Sequence, residues 1–220
     1  MACCRAGTRE DDGMGQQELA IARRSLHAVA ELVLAGPQYR AAGKLRLRVV
    51  PGGFATILVP ELRVVGTRVI GAEGAAVPID GHTARAIGAR LGVAAAVPEG
   101  AYDTGAGVDP DATLTLDPDQ ADVILGALSL GHDALIAFAP AQTPVLWPEH
   151  FDVAIRMDDT NFGVSPGDGF IEDPYAYVGV SSPPVRDAFW NAPFGAAVPL
   201  GEFPDAAAVA GFFAEGDWRR

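Results

Sequence analysis

Four strand-like segments crowd residues 44–71 with almost nothing between them. KLRLRVV, FATILV, ELRVVG and TRVIG are separated only by Pro51-Gly52-Gly53, Pro60 and Gly66. In the first, Leu45, Leu47 and Val49 alternate with Lys44, Arg46 and Arg48, the two-residue period of a strand with one buried face. Parallel neighbours need a crossover of about a dozen residues or more, which these gaps cannot hold, so the segments predict an antiparallel meander.

Helical signals frame the meander. Leu19, Ala22, Leu26, Val29 and Val33 fall on one stripe of a helix spanning Gln17 to Gly36, with Gly36-Pro37 expected to stop it. A short helix is expected from Thr83 to Leu91, closed by Gly92, followed by a Pro-, Gly- and Asp-rich loop from Pro98 to Asp111. In LDPDQADVILGALSLGHDALIAF, Asp117 is placed to cap, Pro118 suits the first helical position, and Gln120 completes a capping-box pattern. Strand character returns in FDVAIRM and YAYVGV, and PDAAAVAGFFAEG reads as a last helix with Gly216 as its stop. The order predicts an α+β fold: a single domain with a mainly antiparallel sheet and helices packed on one face. No internal repeat is visible. Residues 1–13 read as a flexible N-terminal tail before a domain at 14–220, and Met14 is an alternative start.

Charge and composition narrow the partners. The net charge of −12 argues against nucleic acid, whose binding needs phosphate-neutralising Lys and Arg, and against an anionic membrane surface. No apolar run of membrane-spanning length is seen in the sequence, and the expected setting is the cytoplasm. The two cysteines, Cys3 and Cys4, are adjacent and supply neither a disulfide scaffold nor a four-ligand zinc site. There is no P-loop, nucleophile elbow or dinucleotide-binding glycine motif, and the cofactor is left unknown. A homo-oligomer is left open.

Chemistry-bearing residues gather in WPEHFDVAI, Trp147 to Ile155. A two-residue period puts Phe151, Val153, Ile155 and Met157 on one side, and His150, Asp152, Ala154 and Arg156 on the other. In YAYVGV the apolar side is Ala176, Val178 and Val180, leaving Tyr175 and Tyr177 opposite. If the two strands pair, His150, Asp152, Arg156, Tyr175 and Tyr177 share a face. A solvated sheet face accounts for polar residues without further cause. Two tyrosines are large for such a face, however, and the connection from Asp158 to Pro174 is long for a hairpin. That acidic segment, which includes Asp168, is expected to form a loop over the polar face. His150 with Asp152 would then be a general acid–base pair, and Arg156, Tyr175, Tyr177 and Asp168 would contact a ligand. A metal reading would recruit Glu149, His150, Asp152 and Asp168, but the HxD spacing is short and common, and no metal site is assigned.

The segments LHAVAELVLAGPQYR, LRLRVVPGGFATI, LWPEHFDVAI, NFGVSPGDGFIEDPYAYVG and FWNAPFGA resemble those of a family of hypothetical proteins from high-GC actinobacteria. That resemblance implies no activity and no site residues. The expected function is small-molecule binding, with His/Asp acid–base catalysis as one form of it. The alternatives are a non-catalytic interaction or structural protein, with Phe189, Trp190 and Phe194 as apolar contacts, and a metal-dependent hydrolase.

Overall fold

The computed structural model describes residues 8–102, 105–182 and 185–220, with side chains from residue 13 onward. Strands β1 (Leu47–Val50), β2 (Gly53–Thr56), β3 (Leu62–Val65), β4 (Arg68–Gly71) and β5 (Ala76–Pro78) form the expected meander. A second meander consists of β6 (Val145–Trp147), β7 (Asp152–Met157), β8 (Thr160–Ser165), β9 (Tyr175–Val180) and β10 (Gly195–Pro199). Both belong to one ten-stranded sheet of order β10-β9-β8-β7-β6-β1-β2-β3-β4-β5, antiparallel throughout. The fold is α+β, as the alternation and the short gaps predict.

All the helices cover one face. Helix α1 (Thr8–Ala28) passes into a π-helical segment, Val29–Ala35, and then α2 (Gly36–Ala42). Helices α3 (Ala84–Arg90), α4 (Pro118–Phe138) and α5 (Ala206–Arg219) complete the layer. Leu47, Phe54, Val64, Val153, Phe162, Val164 and Val178 point from the sheet into a core shared with Leu26, Leu32, Ile87, Leu128 and Phe213.

The first helix departs from expectation at both ends. It starts at Thr8, within the expected tail, whereas Cys3 and Cys4 lie outside the described residues. Gly36-Pro37 does not stop it. In the π-helical segment the bonds reach five residues back, with Gly36 N–H bonded to Glu31 O, and Pro37 enters a first turn, where its missing N–H is not needed. Gly36 is required for another reason: a Cβ there would strike the backbone carbonyl of Ala96. The helix stops at Gly43, whose φ of 65° and 2.7 Å bond to Tyr39 O form a left-handed cap.

Helix α4 begins as the sequence predicts. Asp117 accepts from the N–H groups of Asp119 (2.9 Å) and Gln120 (3.1 Å), and Pro118 sits at the start. By length and composition α4 could cross a membrane, contrary to the expectation that no run of that length is present. Here its Ala121, Ile124, Leu125, Leu128 and Leu135 side chains are buried in the core. Gly131 lets α4 approach the sheet, since a Cβ at that position would lie 2.6 Å from Val164 Cβ and 2.8 Å from a Val153 methyl. Gly131→Ala therefore overpacks the helix–sheet contact. Urea unfolding is expected to show a loss of about 1–3 kcal/mol, whereas a gain would mean that helix propensity outweighs the clash. Gly216 has the same use. It lies inside α5, against Val178 and Phe189, and does not end the helix.

The topology repeats although the sequence does not. β1 and β6 are central and antiparallel, meeting at the Leu47–Leu146 pair. From them each half runs outward as a five-strand meander. Each meander is preceded by a long helix and followed by a helix, α3 or α5. The plan is helix, five strands, helix, traced twice about a two-fold between β1 and β6. The sheet face opposite the helices thus carries corresponding positions in its two halves.

Candidate functional site

The long loop expected between residues 158 and 174 contains a strand, β8. Phe162 and Val164 alternate with Asn161, Gly163 and Ser165, and β8 pairs with both β7 and β9. The turn before it is only Asp158-Asp159, with Asp158 at φ 51°. β7 and β9 are therefore separated by β8, and the remaining connection, 166–174, covers the open face only at its Tyr175 and Tyr177 end, where Ile171 packs in one cluster with both tyrosines. The Arg23 guanidinium donates to Glu172 O at 2.9 Å. Asp168 accepts from the N–H groups of Phe170 (2.7 Å) and Ile171 (3.1 Å) and from Tyr175 Oη (2.7 Å). Asp168 and Tyr175 thus order this loop, and neither lines the groove described next.

Asp152, Arg156, Tyr175 and Tyr177 do point from the open face, as the period predicts, but His150 does not follow it. Residues 148–151 form the β6–β7 turn, closed by Phe151 N–H to Trp147 O at 2.8 Å. Phe151 takes a φ of 55°, so strand alternation does not extend back to residue 150. The Phe151 ring turns into the core, stacked on His27 at 5.3 Å and edge-on to Phe54 at 5.6 Å. The His150 side chain is 67% exposed and lies 3.9 Å from Glu149. It makes no hydrogen bond to Asp152.

The partner of Asp152 is Tyr177. Its hydroxyl donates a hydrogen bond to Asp152 Oδ2, although a whole strand lies between them. Gly163 makes this possible. It is the register partner of both Ala154 and Tyr177, and a Cβ there would lie 2.6 Å from the Tyr177 oxygen. With no side chain in the way, the ring lies across β8 and reaches Asp152. Ala197 on the other side of Tyr177 is also small.

Asp152 is only 7% exposed, and its Oδ1 has no hydrogen-bond partner among the described residues. Burial pushes its carboxyl up from the ordinary 3.8, opposed by the Tyr177 bond and by the positive potential of His150. Burial, with the Asp152 charge, raises the Tyr177 phenol well above 10. Above the pair opens a groove of about 560 Å3, within the size range of small-molecule sites. Trp147 is its aromatic wall, and the Arg46 guanidinium lies 5.6 Å from the Trp147 ring. Asn161, His150 and Arg156 also line it. Arg156 is held at the hairpin tip, donating to Asp158 O (3.1 Å) and Asp159 Oδ1 (3.2 Å).

Trp147 and Arg46 belong to the groove as much as any of the residues singled out from the sequence. The alternation of Arg46 in KLRLRVV was visible, but its neighbour across the β1–β6 junction was not. Among the described residues, no three His, Cys, Asp or Glu side chains are grouped as metal ligands. Glu149 and His150 are on the rim, Asp152 is on the floor, and Asp168 is committed to its loop. The proposed apolar contact surface is also altered: Trp190 is 4% exposed, within the core. Phe189 packs edge-on against it at 4.9 Å, while Phe194 lies against Phe170 and Tyr177. No protein-family model, curated protein or solved structure matches the chain.

Proposed function

We propose that the protein binds a small molecule in the groove over β6–β9, and that Asp152 with Tyr177 is the acid–base pair beneath it. The observation that carries this reading is the Asp152 carboxyl: buried, at the groove floor, with one oxygen bonded to Tyr177 and the other without a partner among the described residues. An unsatisfied buried carboxylate oxygen is costly. A ligand hydroxyl or amine donating to Asp152 would offset part of that cost. A carboxyl whose pKa is raised by burial is also better matched to exchanging a proton near neutral pH than an exposed aspartate. His150 takes a secondary place at the rim, where it adds positive potential instead of forming a dyad with Asp152.

The walls suggest the ligand's outline. Trp147 with Arg46 offers a flat stacking surface, and Arg46 and Arg156 can approach an anionic substituent. The fitting class is a small, ring-bearing anion with a hydrogen-bond donor that reaches the floor. A thermal-shift screen of such compounds tests this. At a ligand concentration about 100-fold above Kd, binding to the native state adds about 2.7 kcal/mol, or roughly 5–10 °C for a chain of this length. The expected hits are lost in Trp147→Ala and in Asp152→Asn. Hits indifferent to both substitutions, or a screen of such anions without hits, would sink the reading.

A further inference from the structure

The repeated topology gives the groove a counterpart. About the Leu47–Leu146 pair, Arg48 corresponds to Trp147, and their register partners, Ala55 and Asp152, correspond in turn. One strand further out, Arg63 is opposite Ala55 and takes the place of Ser165. A second groove, of about 630 Å3, lies over these positions and is lined by Arg48, Ala55 and Arg63. The buried acid is absent because Ala55 stands in its place. Two guanidinium groups flank that alanine instead, on strands two apart. Neither is paired with a carboxylate among the described residues, and Arg48 spends one N–H on Thr56 O at 3.3 Å. Glu61 also lines the groove, leaving two positive charges against one negative.

The other wall is apolar and displayed outward. Ile57, Leu58 and Val59 are 41%, 43% and 60% exposed, and three consecutive exposed apolar residues are unusual without a functional reason. Their orientation is built in. Gln38, fully buried, accepts from the N–H groups of Ile57 (2.7 Å) and Leu58 (2.8 Å) and donates to Lys44 O and Arg46 O (both 2.9 Å). All four of its hydrogen-bonding positions are used. The backbone of the loop is thereby fixed toward the helix layer, and its side chains are left beside the arginines.

We infer that this N-terminal groove is a second binding site, for an amphiphilic carboxylate: Arg48 and Arg63 hold the anionic head over Ala55, and Ile57, Leu58 and Val59 cover the apolar tail. Two arginines on either side of a residue with almost no side chain, lining one groove, suit a carboxylate head, which accepts paired N–H donors. The apolar wall distinguishes the ligand from a simple anion. The site stands apart from the Asp152 groove and does not depend on the function proposed for it.

Titration calorimetry of the full chain with sodium octanoate, 1-octanol and inorganic phosphate tests this. Octanoate is expected to saturate at one equivalent. Octanol, which lacks the charge, and phosphate, which lacks the tail, bind at least 10-fold more weakly. Arg48→Ala and Arg63→Ala each weaken octanoate at least 10-fold, with circular dichroism confirming that these surface variants stay folded. Asp152→Asn leaves octanoate binding unchanged. The inference is overturned by non-saturating octanoate binding, by octanol or phosphate binding as tightly, by indifference to both arginine variants, or by loss in Asp152→Asn, which would place the ligand in the other groove.

Discussion

Between pH 6.5 and pH 4 the protein is expected to lose about 3 kcal/mol of stability through a single half-buried histidine, His27. His27 Nε2 lies 2.7 Å from Pro148 O, and the ring stacks on Phe151. Burial lowers its pKa from 6.5 to about 4, helped by the positive charges of His150 and Arg23 and opposed by the backbone carbonyl bond. Because the carbonyl only accepts, the neutral ring carries its proton on Nε2. In the unfolded chain His27 takes a second proton near pH 6.5; in the fold it resists until about pH 4. The unfolded state binds more protons in that window, so stability is fully present above pH 6.5 and falls as the pH falls. The separation of the two values converts at about 1.4 kcal/mol per pH unit. Urea unfolding of wild type and His27→Gln at pH 7 and pH 4.5 isolates the effect, since the carboxyls titrate in both proteins. The wild type is expected to fall more steeply with acid. Parallel pH profiles would show that His27 is not the group responsible.

This histidine marks where the sequence was legible and where it was not. On a helical wheel His27 lies between Arg23 and Glu31, and a surface ion-pair ladder is the natural reading. Its partial burial follows from the turn at Trp147–Phe151, contacts more than a hundred residues away in sequence. The same limit governs the candidate site. Strand alternation was local enough to place Asp152, Arg156, Tyr175 and Tyr177 on one face, and Asp117-Pro118 announced the start of α4. The left-handed Phe151 is not a pattern that alternation can express, because bulky residues seldom adopt positive φ, and it took His150 out of line. β8 was hidden because Asn161, Gly163 and Ser165 made its open-face side look like a loop. Gly163 is nevertheless what lets Tyr177 reach Asp152. The repeated topology shows in strand order and hydrogen-bond register and not in the residues: Arg48 and Trp147, or Ala55 and Asp152, share a place without sharing any chemistry.

The second large effect comes from dividing the buried pair. Tyr177→Phe keeps the ring and removes the one donor of Asp152, leaving neither carboxyl oxygen bonded among the described residues. Stranding a buried carboxylate costs about 3 kcal/mol. The sign of its pH dependence is fixed by Asp152. Its folded pKa is already above the unfolded 3.8 and rises further when the Tyr177 bond is lost. The cost is therefore full above the folded pKa and is relieved as the pH falls through it and the carboxyl takes a proton, opposite in direction to the His27 effect. Asp152→Asn removes the charge but still offers Tyr177 an acceptor. At pH 7.5 its stability is expected to equal that of the wild type or exceed it by about 1 kcal/mol, and combining it with Tyr177→Phe restores most of the loss. Urea unfolding of the four proteins at pH 7.5 and pH 5 reads both the coupling and its pH dependence. A Tyr177→Phe loss that is the same at both pH values and is not rescued by Asp152→Asn would reduce Tyr177 to packing alone. An Asp152→Asn variant as stable as the wild type or more so means that stability does not explain the presence of the carboxylate. Residues that lower stability where a neutral isostere would serve are expected at sites kept for binding or chemistry, and the groove above Asp152 is where a ligand would make use of it.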